Sequence, residues 1–179
     1  SAGILNGNGL GNMKNDDNNF LCICRLTGKI TGPLKTGISF ASSRETVAGN
    51  SKIESSLPAP YKKTLIQADI EAKCEKNFLK GELIEARYNP DSAAPLKADG
   101  FGLTCGCFLI DKILSVVLRY EEYDPDKSVT DKNDIKWTTL GINYFASKKA
   151  KIQANYIFKS EAEDETNNNS FIVQMQYCF

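Results

Sequence analysis

Two kinds of residue pattern in this chain carry chemistry. The first is charge on alternate positions: Asp69, Glu71 and Lys73, then Lys80 and Glu82, then Arg119 and Glu121, with Arg25 and Lys159 standing alone. Residues two apart share one face of an extended strand, so each run would present its charges to a single compartment. The chemistry open to such a wall is ion sorting, for which a ring of one sign is the strong form. The second pattern is thiol. Cys22-Ile-Cys24 and Cys105-Gly-Cys107 each place two thiols on one strand face, with Cys74 and Cys178 elsewhere. The CxxC spacing of zinc and redox sites is absent, so no metal site is expected.

Other catalytic readings fall away. The chain has no histidine, which removes imidazole-based zinc sites and every Ser-His or Cys-His pair. No enzyme is expected. Gly7-Asn-Gly9-Leu-Gly11 is followed by Asn12 where a dinucleotide loop needs glycine, so no cofactor is implied. The segment 124–135 starts like a calcium loop but lacks its central glycine and ends on Ile135 instead of glutamate. Glu161, Glu163, Asp164 and Glu165 form an acidic loop tip expected to be solvated, with bridging to lipopolysaccharide through divalent ions as the alternative. Twenty-two basic residues balance 22 acidic ones, so a nucleic-acid partner is not expected.

The elements that must position these residues are strands. Phe171, Val173, Met175, Tyr177 and Phe179 alternate with mostly polar or small residues. Ile152, Ala154, Tyr156 and Phe158 oppose Lys151, Gln153, Asn155 and Lys159, and Ile66, Ala68, Ile70 and Ala72 oppose Gln67, Asp69, Glu71 and Lys73. The period is two, not 3.6. It predicts strands near 2–6, 20–30, 36–44, 63–74, 77–88, 100–111, 113–123, 135–147, 150–160 and 169–179. The connections alternate between tight turns (32–35, 75–76, 111–112, 147–149) and longer polar loops (7–19, 45–62, 89–99, 124–134, 161–168).

Strand alternation alone does not separate a membrane barrel from a soluble one. Long loops on one side, short turns on the other and an aromatic last residue favour an antiparallel transmembrane β-barrel. Strands of about 9–12 residues suit a tilted bilayer crossing. Tyr120, Tyr144, Tyr156, Tyr177 and Phe179 on the apolar face would then be girdle aromatics, and Phe171, Tyr177 and Phe179 an assembly signal. The expected localisation is the bacterial outer membrane. Its lipids and lipopolysaccharide would be partners, with barrel-assembly machinery acting during biogenesis.

The residues also carry a family resemblance. Gly3-Ile-Leu-Asn-Gly-Asn-Gly9, Arg25-Leu-Thr-Gly28, Gly106-Cys-Phe-Leu109 and Arg119-Tyr-Glu-Glu-Tyr-Asp-Pro-Asp126 resemble the phosphate-selective porin O and P family. Thr139-Leu-Gly-Ile-Asn-Tyr144, Ile152-Gln-Ala-Asn-Tyr156 and the terminal Phe179 are similar too. The resemblance implies a passive channel for small solutes, including anions such as phosphate. It also implies a homotrimer of barrels with about 16 strands each. This chain would be the C-terminal part of one such barrel, a single domain over 1–179; a complete small barrel is the competing expectation.

Strand parity puts Arg25, Gln67, Asp69, Glu71, Lys73, Lys80, Glu82, Arg119, Glu121, Gln153, Asn155 and Lys159 on the wet side. They would either sort solutes or pair with one another as ordinary wet-wall residues. The cysteine pairs fall on the apolar side with Phe20, Leu26, Leu103 and Leu109, as small lipid-facing hydrophobes. A structural barrel serving as scaffold or subunit of a larger envelope complex is the alternative to a channel.

Overall fold

In the computed structural model, which describes residues 1–6, 19–46, 57–127, 134–161 and 168–178, the two-residue period becomes ten antiparallel strands. They are β1 (Ala2–Asn6), β2 (Phe20–Thr31), β3 (Leu34–Glu45), β4 (Tyr61–Cys74), β5 (Asn77–Pro90), β6 (Leu96–Ile110), β7 (Leu114–Asp124), β8 (Ile135–Phe145), β9 (Ala150–Glu161) and β10 (Ser170–Tyr177). Each pairs with its neighbours in chain order, giving one ten-stranded meander. Among the described residues β1 pairs with β2 alone and β10 with β9 alone, so the sheet has two open edges.

All ten expected strands are present, but several run further than the alternation suggested. β3 starts at Leu34 because only Gly32 and Pro33 are needed to reverse the chain. The loop expected over 89–99 shrinks to 91–95: Leu96 and Ala98 pair with Tyr88 and Ala86 and pack against them, extending β6 backwards. β8 stops at Phe145, two residues short of the expected end. At the short-turn edge, Glu75 (φ 45°) and Lys112 (φ 57°) take the left-handed conformation that tight reversals require. The ladder slips between Phe108 and Ile110 to admit the three-residue turn 111–113. The loops over 7–18, 47–56 and 128–133, the acidic tip at 161–165 and Phe179 lie outside the described residues or side chains.

Register divides every strand between two faces. Cys24, Leu26, Ile38, Phe40, Ile66, Ile70, Leu79, Leu83, Leu103, Cys105, Leu118, Leu140, Ile142, Ile152, Val173 and Met175 all fall on one face. They are bare: Leu118 is 45% exposed, Leu140 50% and Met175 71%. The other face carries the charged runs, and its side chains crowd together. Its buried apolar group, Leu57, Tyr61, Ala86, Tyr88 and Ala98, sits where the chain before β4 folds onto the loop end of β4–β6. A soluble sandwich would bury the aliphatic face; this sheet turns it outward, as a lipid-facing wall does.

The limit of that bare apolar band reveals strand tilt. On the outer face the first charge met towards the loops is Arg44 on β3 and Lys136 on β8. Lys136 stands in register with Glu122, Phe101, Leu83, Ala68 and Ile38, six residues along β3 from Arg44. That is about 20 Å along the strands over five strand spacings, about 24 Å. The band is therefore inclined by about 40°, the tilt at which strands close into a barrel.

Candidate functional site

The charged residues of the inner face form the candidate site. Arg25 stands beside Ser39 and Gln67, and its Nη1 donates to Ser39 Oγ at 2.6 Å. Its Nη2 reaches Asp69 Oδ1 on β4, also at 2.6 Å, by passing over the backbone of Gly37. Only glycine permits this crossing, since a Cβ at position 37 would lie 2.5 Å from Arg25 Nη2 and 2.8 Å from both Asp69 oxygens. Two further pairs lie along single strands: Glu71–Lys73 at 2.7 Å and Arg119–Glu121 at 2.8 Å. Each is half-open to solvent, so each stabilises the fold by only about 0.5 kcal/mol. Lys80 and Glu82 have no ion pair among the described residues.

Register sorts these charges into two adjoining rungs. One runs Lys29, Lys35, Glu71, Lys80, Thr104, Arg119, Thr139, and the next runs Asp69, Glu82, Gly102, Glu121, Trp137, Lys159. The first is mainly cationic and the second mainly anionic on its β4–β7 portion. They lie about 7 Å apart, two residues along each strand. Lys29 and Lys35 face each other directly, an unfavourable pairing that Glu71 on the next strand offsets. Gln153 and Asn155 are on this face too, and the Asn155 amide lies over Gly141.

Sequence parity thus collects its twelve candidates on one face, but it missed several partners there. Lys29, Lys35 and Lys63 share the inner wall, at the ends of strands where the alternation is short, and Lys151, which the alternation already set opposite Ile152, joins them. With them, the wall holds nine cations (Arg25, Lys29, Lys35, Lys63, Lys73, Lys80, Arg119, Lys151, Lys159) against five carboxylates (Glu45, Asp69, Glu71, Glu82, Glu121) among the described side chains. A chain of zero net charge therefore presents a positive inner wall.

Trp137 was also missed. It shares the parity of Thr139, Gly141 and Asn143, and that parity is the signal that could have placed it inside. It borders a bay of about 340 Å³ lined by Gln67, Glu82, Ile84, Gly100, Gly102, Arg119, Glu121, Tyr123, Ile135 and Trp137. Gly102 has open space above it: a Cβ there would meet only Glu82 Cβ, at 3.9 Å. Lys159 Nζ lies 5.4 Å from the Trp137 ring centroid.

The outer face carries its own polar margin at the loop end. Arg44 pairs with Asp91, Arg87 with Glu85, Lys127 with Asp99, and Lys136 with Glu122 at 3.3 Å. The Tyr120 hydroxyl donates to Glu122 at 3.0 Å, at the limit of the apolar band. Beyond β7, the Asp99 carboxylate, first by its hydrogen bond and then by its charge, holds the Lys127 ammonium above the ordinary lysine range. Lys62 and Lys97 stand in the same margin without an ion pair among the described residues.

Of the expected girdle aromatics, Tyr120, Tyr144, Tyr156 and Tyr177 are on the outer face, and Phe179 lies outside the described residues. Tyr144 and Tyr177 lie near the short-turn edge, Tyr120 lies near the loops, and Tyr156 sits mid-strand opposite Leu140 and Phe171. Tyr156 stacks edge-on against Phe158, with ring centroids 4.7 Å apart. Phe171 is 68% exposed. All six cysteines are free thiols, and the 22/24 and 105/107 pairs lie among the outer aliphatics. Among the described residues no group of His, Cys, Asp or Glu is arranged to hold a metal ion.

Neither a family model nor a curated protein matches the chain. Among solved structures, an anion-selective porin from Comamonas acidovorans matches 90% of this chain and 49% of its own, with a TM-score of 0.69 and 16% sequence identity. The chain thus spans about half the length of that porin. At this identity the likeness is one of fold, and it agrees with the strand order, the exposed aliphatic face and the tilt. This chain folds as a stretch of porin β-barrel wall.

Proposed function

We propose that the chain forms part of an outer-membrane porin, a passive diffusion channel for small solutes that favours anions. One observation carries this reading: the sheet is two-faced, with a bare aliphatic band outside and, among the described side chains, nine cations against five carboxylates inside. A wall of that kind separates lipid from a wet lumen whose fixed charge enriches anions. The solved structure that matches over 90% of the chain is itself described as an anion-selective porin, which supports the same direction. Phosphate as a favoured anion, and membership of the porin O and P family, rest on the sequence resemblance.

The open edges of β1 and β10 need strand partners, because unpaired backbone is not tolerated in hydrocarbon. We assign those partners to further strands of a longer barrel, in keeping with the half-length match. Trimerisation and insertion by barrel-assembly machinery follow from the same reading. The charged outer margin, where Lys62 and Lys97 have no ion pair among the described residues, suits the phosphates of lipopolysaccharide. The open edges also favour a second reading, in which another envelope protein supplies the missing strands and the sheet is a structural subunit.

The test is conductance across a planar bilayer with a salt gradient. The porin reading expects stepwise channels and a reversal potential of anion-selective sign. A folded, heat-modifiable protein that conducts nothing would favour the scaffold reading.

A further inference from the structure

The bay beside Trp137 differs from the rest of the inner wall. Another inner bay, of about 470 Å³ beside Arg25, Ser39 and Gln67, has no indole at its rim; here Trp137 borders a recess that Gly102 leaves between the side chains of β5 and β7, while Ile84 packs over Gly100. Glu82 stands at its edge with a carboxylate that no described group engages. Arg119 is drawn along its own strand to Glu121 at 2.8 Å, and its Nε is buried without a hydrogen-bond acceptor. Gln67 adds an amide, and Trp137 a broad apolar ring that is 37% exposed.

These groups select among ligand classes. A small inorganic anion would meet Glu82 and Glu121. A small cation would meet Arg119 and the Lys159 ammonium over the Trp137 ring. A wholly apolar solute would strip water from Glu82 and give nothing back. What fits is a neutral ring with one apolar face and a rim of hydroxyls. The C–H face packs on the indole. The hydroxyls donate to Glu82 and Gln67, and accept from Arg119. At about 340 Å³ the recess is of ligand size.

We propose that this bay is a saccharide-binding subsite, with Trp137 as the stacking platform and Glu82, Gln67 and Arg119 as its polar contacts. The inference rests on the porin reading only in taking the bay to open into the lumen. Binding would be weak, as transit through a channel demands that a solute also leave.

Trp137 is the one tryptophan of the chain, so its fluorescence reports on this site alone. The folded protein in detergent is titrated with a neutral linear glucose oligomer, and separately with inorganic phosphate. The expected result is a saturable change in Trp137 emission with the oligomer and none with phosphate. Glu82→Gln should weaken the apparent affinity about five-fold, the effect of exchanging a charged acceptor for a neutral one. Gly102→Leu, which fills the recess, should abolish the response. Heat-modifiable gel migration verifies that both variants fold. If Gly102→Leu fails to fold, Gln67→Ala must also weaken binding. No saturable change in the unmodified protein, or the same change in every variant, overturns the proposal. Saccharide binding without ion conductance would sink the porin reading and leave the subsite standing; conductance without saccharide binding would do the reverse.

Discussion

Arg25 on β2 and Asp69 on β4 are joined at 2.6 Å across an intervening strand, over the bare backbone of Gly37. The bridge ties three strands of the inner wall together and cancels one positive and one negative charge beside the cationic rung. Its two members should therefore have opposite effects on ion preference. Asp69→Asn releases Arg25 into the lumen, and the reversal potential should move towards anions. Arg25→Ala leaves Asp69 bare, and it should move towards cations. Equal shifts of one sign would show that the pair does not face the permeating ions.

Gly37→Ala should disrupt the same bridge without removing a charge. The new Cβ occupies the path of the guanidinium, so Arg25 or Asp69 must move. The cost is about 1 kcal/mol, the usual size of a local steric change outside a packed core. Denaturant unfolding in detergent measures it, and the Arg25→Ala background should reduce it.

The cationic rung predicts a salt-dependent selectivity. Lys80→Glu and Lys35→Glu should each lower the anion-to-cation permeability ratio in 0.1 M salt. The difference from the unmodified protein should shrink in 1 M salt, where the screening length falls from about 10 Å to about 3 Å. Reversal potentials at the two concentrations check this.

The assignment of faces makes adjacent residues respond differently. Leu140→Arg places a cation on the lipid side and should destabilise the inserted protein by about 2–4 kcal/mol. Thr139→Arg points into the wet wall and should change stability by no more than about 0.5 kcal/mol. Unfolding from lipid vesicles distinguishes them. A charged, water-soluble maleimide gives an independent reading. In a chain with its other cysteines replaced by alanine, Thr104→Cys should label in vesicles while a retained Cys105 should not.

The outer margin predicts lipid preference. Lys62 and Lys97 stand just above the apolar band with no ion pair among the described residues, free to meet lipopolysaccharide phosphates. Lys62→Glu and Lys97→Glu should each weaken binding to lipopolysaccharide micelles about five-fold, the effect of about 1 kcal/mol per surface cation. Binding to neutral phospholipid micelles should be unchanged.

Much of this architecture could be read from the chain. All ten strands, the sides to which the long and short connections fall, and the wet-face parity of Arg25, Asp69, Glu82 and Arg119 follow from a period of two. Local geometry forces that period, because successive side chains of a strand alternate between faces. The start of β6 was less legible. Leu96 and Ala98 look like loop residues until Tyr88 and Ala86 are placed beside them.

What sequence alone determined is therefore the alternation, the order of the strands and the apolar and polar faces of the sheet. What only the tertiary structure decided is which residues of different strands stand side by side. The Arg25–Asp69 bridge spans 44 positions and depends on a glycine between its members. The inner rungs, the recess at Gly102 and the positive wall in a neutral chain arise in the same way. Register is a relation between strands, set by turn geometry and cross-strand packing, and no single strand contains it.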